Sequence, residues 1–183
     1  MPRPPRRKDA GDARRVLDED PPLVINGWSI YVYPDFLERF RALVWDFKQA
    51  RSRDPKGYRT SLAAKILLAV TRLAFREIPG DPGADRFRQG RTLGTQYRHF
   101  RRAKFFHRFR LFFRYHSEAR IIVFVWLNDE NTLRKAGSRS DPYHVFHDML
   151  ERGRPPADWP GLLAASVPMG ASAMSEADEE PST

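Results

Sequence analysis

The 183 residues include no cysteine. Disulfides, thiolate nucleophiles and cysteine-ligated zinc are excluded at once. Long apolar runs are missing too, and none approaches the roughly 20 residues that cross a bilayer as a helix. The N-terminus, MPRPPRRKDAGDARR, is basic but leads into no apolar stretch. It does not read as a signal peptide, so a cytoplasmic protein is expected. No Walker loop, Rossmann glycine pattern or serine nucleophile elbow is present. Acid is scarce where base is dense. From Arg86 to Arg120 the only carboxylate is Glu118, set against Arg86, Arg88, Arg91, Arg98, Arg101, Arg102, Lys104, Arg108, Arg110, Arg114 and Arg120.

Hydrophobic residues make up 41 % of the chain and aromatics 13 %, enough for one globular core. Lys and Arg total 32 against 23 Asp and Glu, a formal net charge of +9. Such a chain favours an anionic partner. Its bases are mostly Arg, whose guanidinium forks onto phosphate.

The stretch from His99 to His116, HFRRAKFFHRFRLFFRYH, concentrates both features. Read as strands, it sends Phe109, Leu111, Phe113 and Tyr115 to a core face. Arg108, Arg110, Arg114 and His116 go to the other, broken only by Phe112. A rigid row of guanidinium groups suits a polyanion and can stabilise charge on a phosphate as a bond breaks.

The remaining pattern predicts the order β-α-α-β-β-β-α. Residues 1–22 and 165–183 read as a basic and an acidic disordered tail around a domain at 23–164. A first strand covers Trp28 to Tyr33 and ends at Pro34, and Asp35 with Glu38 forms a capping box for a first helix. A second helix spans about Thr60–Glu77. Strands follow at about 98–106, 108–116 and 120–128, the last apolar on both faces as a central strand should be. Asp141 caps a third helix begun by Pro142. This is an α+β domain, with a small antiparallel sheet and helices on one face.

RNA brings its own nucleophile, the 2′-hydroxyl. Cleavage then needs proton removal, stabilisation of a phosphorane and leaving-group protonation, and clustered Arg and Lys supply the second need. Arg102 and Lys104 share parity on one strand, and Arg108, Arg110 and Arg114 on the next; a hairpin of suitable register brings them together. The loop NDENTLRKAG (residues 128–137) could position RNA, or be a turn whose Asx side chains bond the backbone. His99, His107 and His116 are candidates for phosphate contact or proton transfer. His144 and His147 have metal-like spacing but lack a third ligand, so no metal is expected. Other readings are a non-catalytic nucleic-acid-binding domain and a protein-binding module with the same basic face.

The blocks INGW (residues 25–28), RAKFF (102–106), RLFFRY (110–115), WLNDENTLRKAG (126–137), DPYHVFHDML (141–150) and RGRPPADW (152–159) resemble the YhaV toxins, RelE-like ribonucleases of type II toxin–antitoxin modules. The resemblance spans nearly the whole folded domain. It implies an mRNA-cleaving toxin that works without metal or other cofactor. Its implied partner is a PrlF-type antitoxin with an AbrB-like DNA-binding domain, and the pair would repress their own operon. Arg102 lies in the block that carries the family's important arginine. Arg102, Lys104 and Arg110 are accordingly the expected catalytic group, with Arg101, Arg108, Arg114, Asn128, Asp129, Arg134 and Tyr143 as RNA contacts.

Overall fold

The computed structural model describes residues 20–170. Alternation in WSIYV builds β2 (Trp28–Val32), which pairs antiparallel with β1 (Val24–Ile25). The connection is Asn26–Gly27, both left-handed (φ 49° and 78°), the geometry that suits a two-residue hairpin turn. Three longer strands form a meander: β3 (Arg101–Phe105), β4 (Phe109–His116) and β5 (Ile121–Leu127). The sheet order is β1-β2-β5-β4-β3, with β6 (Val167–Pro168) also paired antiparallel to β2.

Two long helices lie between β2 and β3. α1 (Pro34–Arg53) starts on Pro34, and α2 (Leu62–Arg72) is capped by Ser61, whose hydroxyl accepts the Ala64 N–H at 3.2 Å. A π-turn (Leu73–Glu77) prolongs α2. Phe36 and Phe40 of α1 and Ile66 and Val70 of α2 pack on Ile30, Leu111, Phe113 and Phe124 of the sheet. α3 (Pro142–Glu151) and α4 (Trp159–Ala164) take the opposite face. There Phe146 stacks on Phe112 at 4.3 Å, among Phe100, Val123, Val125 and Leu162.

The α+β class holds, and β5 is buried on both faces as its composition requires. Four details differ. The sheet is mixed, because β2 runs parallel to β5. Helices cover both faces, because Phe112 and Phe146 each gain about 2 kcal/mol by burial, more than an exposed aromatic in a row of cations could return. Asp35 is not a cap; Tyr33 takes that position and Pro34 the first helical one, where its missing N–H costs nothing. The domain runs past 164, since β6 pairs with β2 and the Leu23 N–H donates to the Met169 carbonyl at 2.7 Å. The rest of the expected tails, residues 1–19 and 171–183, lies outside the described residues. Among the described residues no helix is long and apolar enough to cross a membrane.

Candidate active site

The β3–β4 register sets Lys104 opposite Arg110 and Arg102 opposite Phe112. Paired residues share a face, so Arg102, Lys104 and Arg110 stand together, away from α1 and α2. α3 completes the arrangement. Its cap, Asp141, accepts the Tyr143 N–H at 3.1 Å, and Tyr143, on the first turn, reaches down to the sheet. Arg102 donates through Nε to the Tyr143 hydroxyl at 2.8 Å, and Arg110 through Nε to the same oxygen at 3.1 Å. Arg134 lies over the Tyr143 ring, 5.1 Å from its centre, and pairs with Asp141.

Backbone carbonyls fix the two guanidinium groups. Arg102 Nη1 donates to the Arg86 carbonyl at 2.8 Å, and Arg110 Nη1 to those of His107 (2.9 Å) and Phe109 (2.8 Å). Nη2 of each makes no hydrogen bond among the described residues and is not among their fully buried unsatisfied atoms, although the side chains as a whole are nearly enclosed, Arg102 9 % and Arg110 6 % exposed. Among the described residues neither arginine is ion-paired to a carboxylate. The Tyr143 oxygen has two lone pairs, and two N–H donors occupy them. Its own hydrogen is left to be donated outward.

The loop after β5 secures this end of the hairpin. Asn128, wholly buried, accepts the Arg110 N–H at 2.6 Å and donates to the carbonyls of Arg108 (3.0 Å) and Thr132 (2.8 Å). Asp129 accepts from the Asn131 N–H and the Thr132 hydroxyl, and Glu130 pairs with Arg39 at 3.2 Å. Asn128 is therefore engaged inside the fold rather than presented to a ligand, and Asp129, half-buried, bonds its own loop through Oδ1. An Asx-rich loop presents the same sequence whether its amides face a ligand or their own backbone.

The other expected contacts divide. Lys104 and Arg108 are exposed, and Arg108 Nε makes only a long 3.4 Å contact to the Arg134 carbonyl. Arg101 has the opposite parity: its guanidinium lies 5.6 Å from the Tyr115 ring on the α2 side, so it is not part of this surface. Arg114 shares the face but is cut off by Phe112 and α3. It sits between the Phe100 and Trp159 rings, 5.6 and 5.5 Å from their centres, and donates to the Ala157 carbonyl at 2.6 Å. Burial pushes its pKa down, against an opposing pull from Asp158. His99 contacts the same carbonyl at 3.0 Å; burial and then the Arg114 charge hold its imidazole below the ordinary value. His144 and His147 lie along α3 within 3.5–3.8 Å of Asp148 and Glu151. The basic run is also less solitary than its own residues suggested, because Arg86 reaches Glu77 at 3.8 Å and Arg88 reaches Asp85 at 3.1 Å.

Sequence reasoning missed Asp141 as Arg134's partner and the Arg86 carbonyl as a prop for Arg102. Asp141 was legible as a helix cap, but nothing local ties a cap to an arginine seven residues earlier.

A family described as a toxin with endonuclease activity, of a toxin–antitoxin system, matches residues 30–167; it is the family of YhaV toxins. The toxin YhaV of Escherichia coli O6:H1 is 41 % identical over 145 residues, covering 78 % of this chain and 94 % of that protein. The ribonuclease toxin YhaV of Escherichia coli strain K12 matches to the same extent. No solved structure matches.

Proposed function

The chain belongs to the YhaV toxin family, and from that premise we propose that it cleaves mRNA at the Arg102–Arg110–Tyr143 site without a metal ion. The observation that carries this reading is the convergence of two guanidinium groups on one hydroxyl (2.8 and 3.1 Å), each with an amino group left over. The 2′-hydroxyl gives up its proton to solvent as its oxygen attacks phosphorus, and the P–O5′ bond breaks, leaving a 2′,3′-cyclic phosphate and a 5′-oxygen that takes a proton to become a hydroxyl. The two open Nη2 groups suit the non-bridging oxygens on which charge gathers. The Tyr143 hydroxyl, its lone pairs taken, is placed to donate its hydrogen to the departing oxygen. Exposed Lys104, beside Arg110 in register, and Arg108 at the hairpin tip hold the flanking backbone.

The site's carboxylate, Asp141, is committed to Arg134 and to two backbone N–H groups. Charge stabilisation, rather than a carboxylate acid–base pair, therefore leads the chemistry. The partner that neutralises the toxin is a PrlF-type antitoxin, and the complex binds operator DNA. RNA incubated with the purified chain in EDTA tests the catalytic reading. Fragments ending in 2′,3′-cyclic phosphate are expected from the native chain and none from Arg102→Ala; intact RNA that merely binds would replace the nuclease with a binding domain.

A further inference from the structure

Behind the hairpin, on the α2 side, an apolar groove of about 300 Å³ runs between α2 and the β3–β4 tip. Leu73 and Phe105 line it, with Leu68 and Phe106 along its edges and Lys65 and Arg72 among them. Two of these side chains are costly where they are. Leu68 is 70 % exposed on a helix that buries Ile66, Leu67 and Val70 elsewhere, and Phe106 is 49 % exposed. Phe106 and His107 also hold left-handed backbone, φ 43° and 59°, at a tip where glycine or asparagine would relieve the strain. Leu68 and Phe106 are not spent on the core, and both line the one groove. Exposed apolar side chains gathered on one groove suit a small docking site.

We propose that this groove docks the antitoxin, through a segment that places one bulky apolar side chain between acidic residues. The inference rests on membership of a toxin–antitoxin family, not on the cleavage mechanism. The charge at the groove selects the partner. Among the described residues Lys65 has no carboxylate partner, and Glu77, the one acid of those that line the groove, is already held by Arg72 at 2.8 Å and by Arg86 at 3.8 Å. The apolar lining favours a protein segment over RNA, whose binding is led by phosphate. The position also explains how a partner behind the sheet bears on the site in front. The tip that exposes Phe106 supplies the His107 carbonyl that holds Arg110 and the Arg108 carbonyl that holds Asn128.

The test uses the full-length chain, the PrlF-type antitoxin, and Leu68→Asp, a change at an exposed groove position outside the Arg102–Arg110–Tyr143 site. Calorimetry should show antitoxin binding weakened on the order of tenfold or more, and Lys65→Glu should weaken it too. RNA cleavage by the free Leu68→Asp chain should match the native rate. Unchanged antitoxin affinity overturns the proposal. So does altered RNA cleavage, which would make the groove an RNA path. Loss of a self-associated state in Leu68→Asp would assign the groove to a second copy and equally overturn it. If the native chain cleaves no RNA but Leu68→Asp still weakens the antitoxin, the nuclease mechanism fails and the docking site stands.

Discussion

Arg110 and Tyr143 are joined by a 3.1 Å hydrogen bond from Nε to the hydroxyl, and the same guanidinium lies 5.7 Å from the centre of the tyrosine ring. The arginine comes from a sheet strand and the tyrosine from the first turn of a helix 33 residues later. Packing α3 on Phe112 is what brings them together, so the fold's second core and its candidate chemistry share one origin.

Tyr143→Phe isolates the hydroxyl. The ring and its edge-on contact with Phe112 remain, while two guanidinium groups lose their acceptor and the leaving group its proton donor. Cleavage should slow on the order of 10²-fold, with far-ultraviolet circular dichroism unchanged. A rate within a few-fold of native would remove Tyr143 from the mechanism.

Asn128→Ala probes support rather than chemistry. It strips partners from the Arg110 N–H and from the Arg108 and Thr132 carbonyls in a fully buried setting. Stability should fall by about 3 kcal/mol in a urea titration. At temperatures where the variant is folded, kcat should drop more than KM rises, because the residue orients Arg110 and does not touch RNA.

Asp141 separates cap from charge. Asn is as good a cap as Asp, so Asp141→Asn should preserve α3 while weakening the hold on Arg134. Asp141→Ala should lose the cap as well, a further cost of about 1 kcal/mol. Thermal melts of the two variants side by side check the order: native, then Asn, then Ala.

His99 should titrate below the usual imidazole range in an NMR pH series, since burial and the Arg114 charge both oppose protonation. The folded chain then binds fewer protons at this group than the unfolded one just below the ordinary value. Its contribution to stability therefore falls as pH drops through that window. Arg114→Gln should move the His99 midpoint upward; a downward shift would contradict the assigned cause.

Parity made part of this site legible in advance. The spacing in RAKFF and RLFFRY was enough to put Arg102, Lys104 and Arg110 on one surface once the strands paired. The same parity places Arg101, which was expected among the RNA contacts, on the other face. Phe112 was the visible clue that the cation row is interrupted, but a lone aromatic does not say which helix will cover it, so Arg114's isolation had to be seen. Strand direction leaves no trace in alternation either. β2 lies against β5 whether parallel or antiparallel in pattern, and long-range packing decides.

The cleavage rates of Arg101→Ala and Arg102→Ala, measured on one RNA under one condition, test the central claim most directly. The two arginines are adjacent in sequence and stand on opposite faces of β3. The account predicts Arg101→Ala within a few-fold of native and Arg102→Ala slower by on the order of 10²-fold or more. Equal losses, or a greater loss for Arg101→Ala, would contradict it.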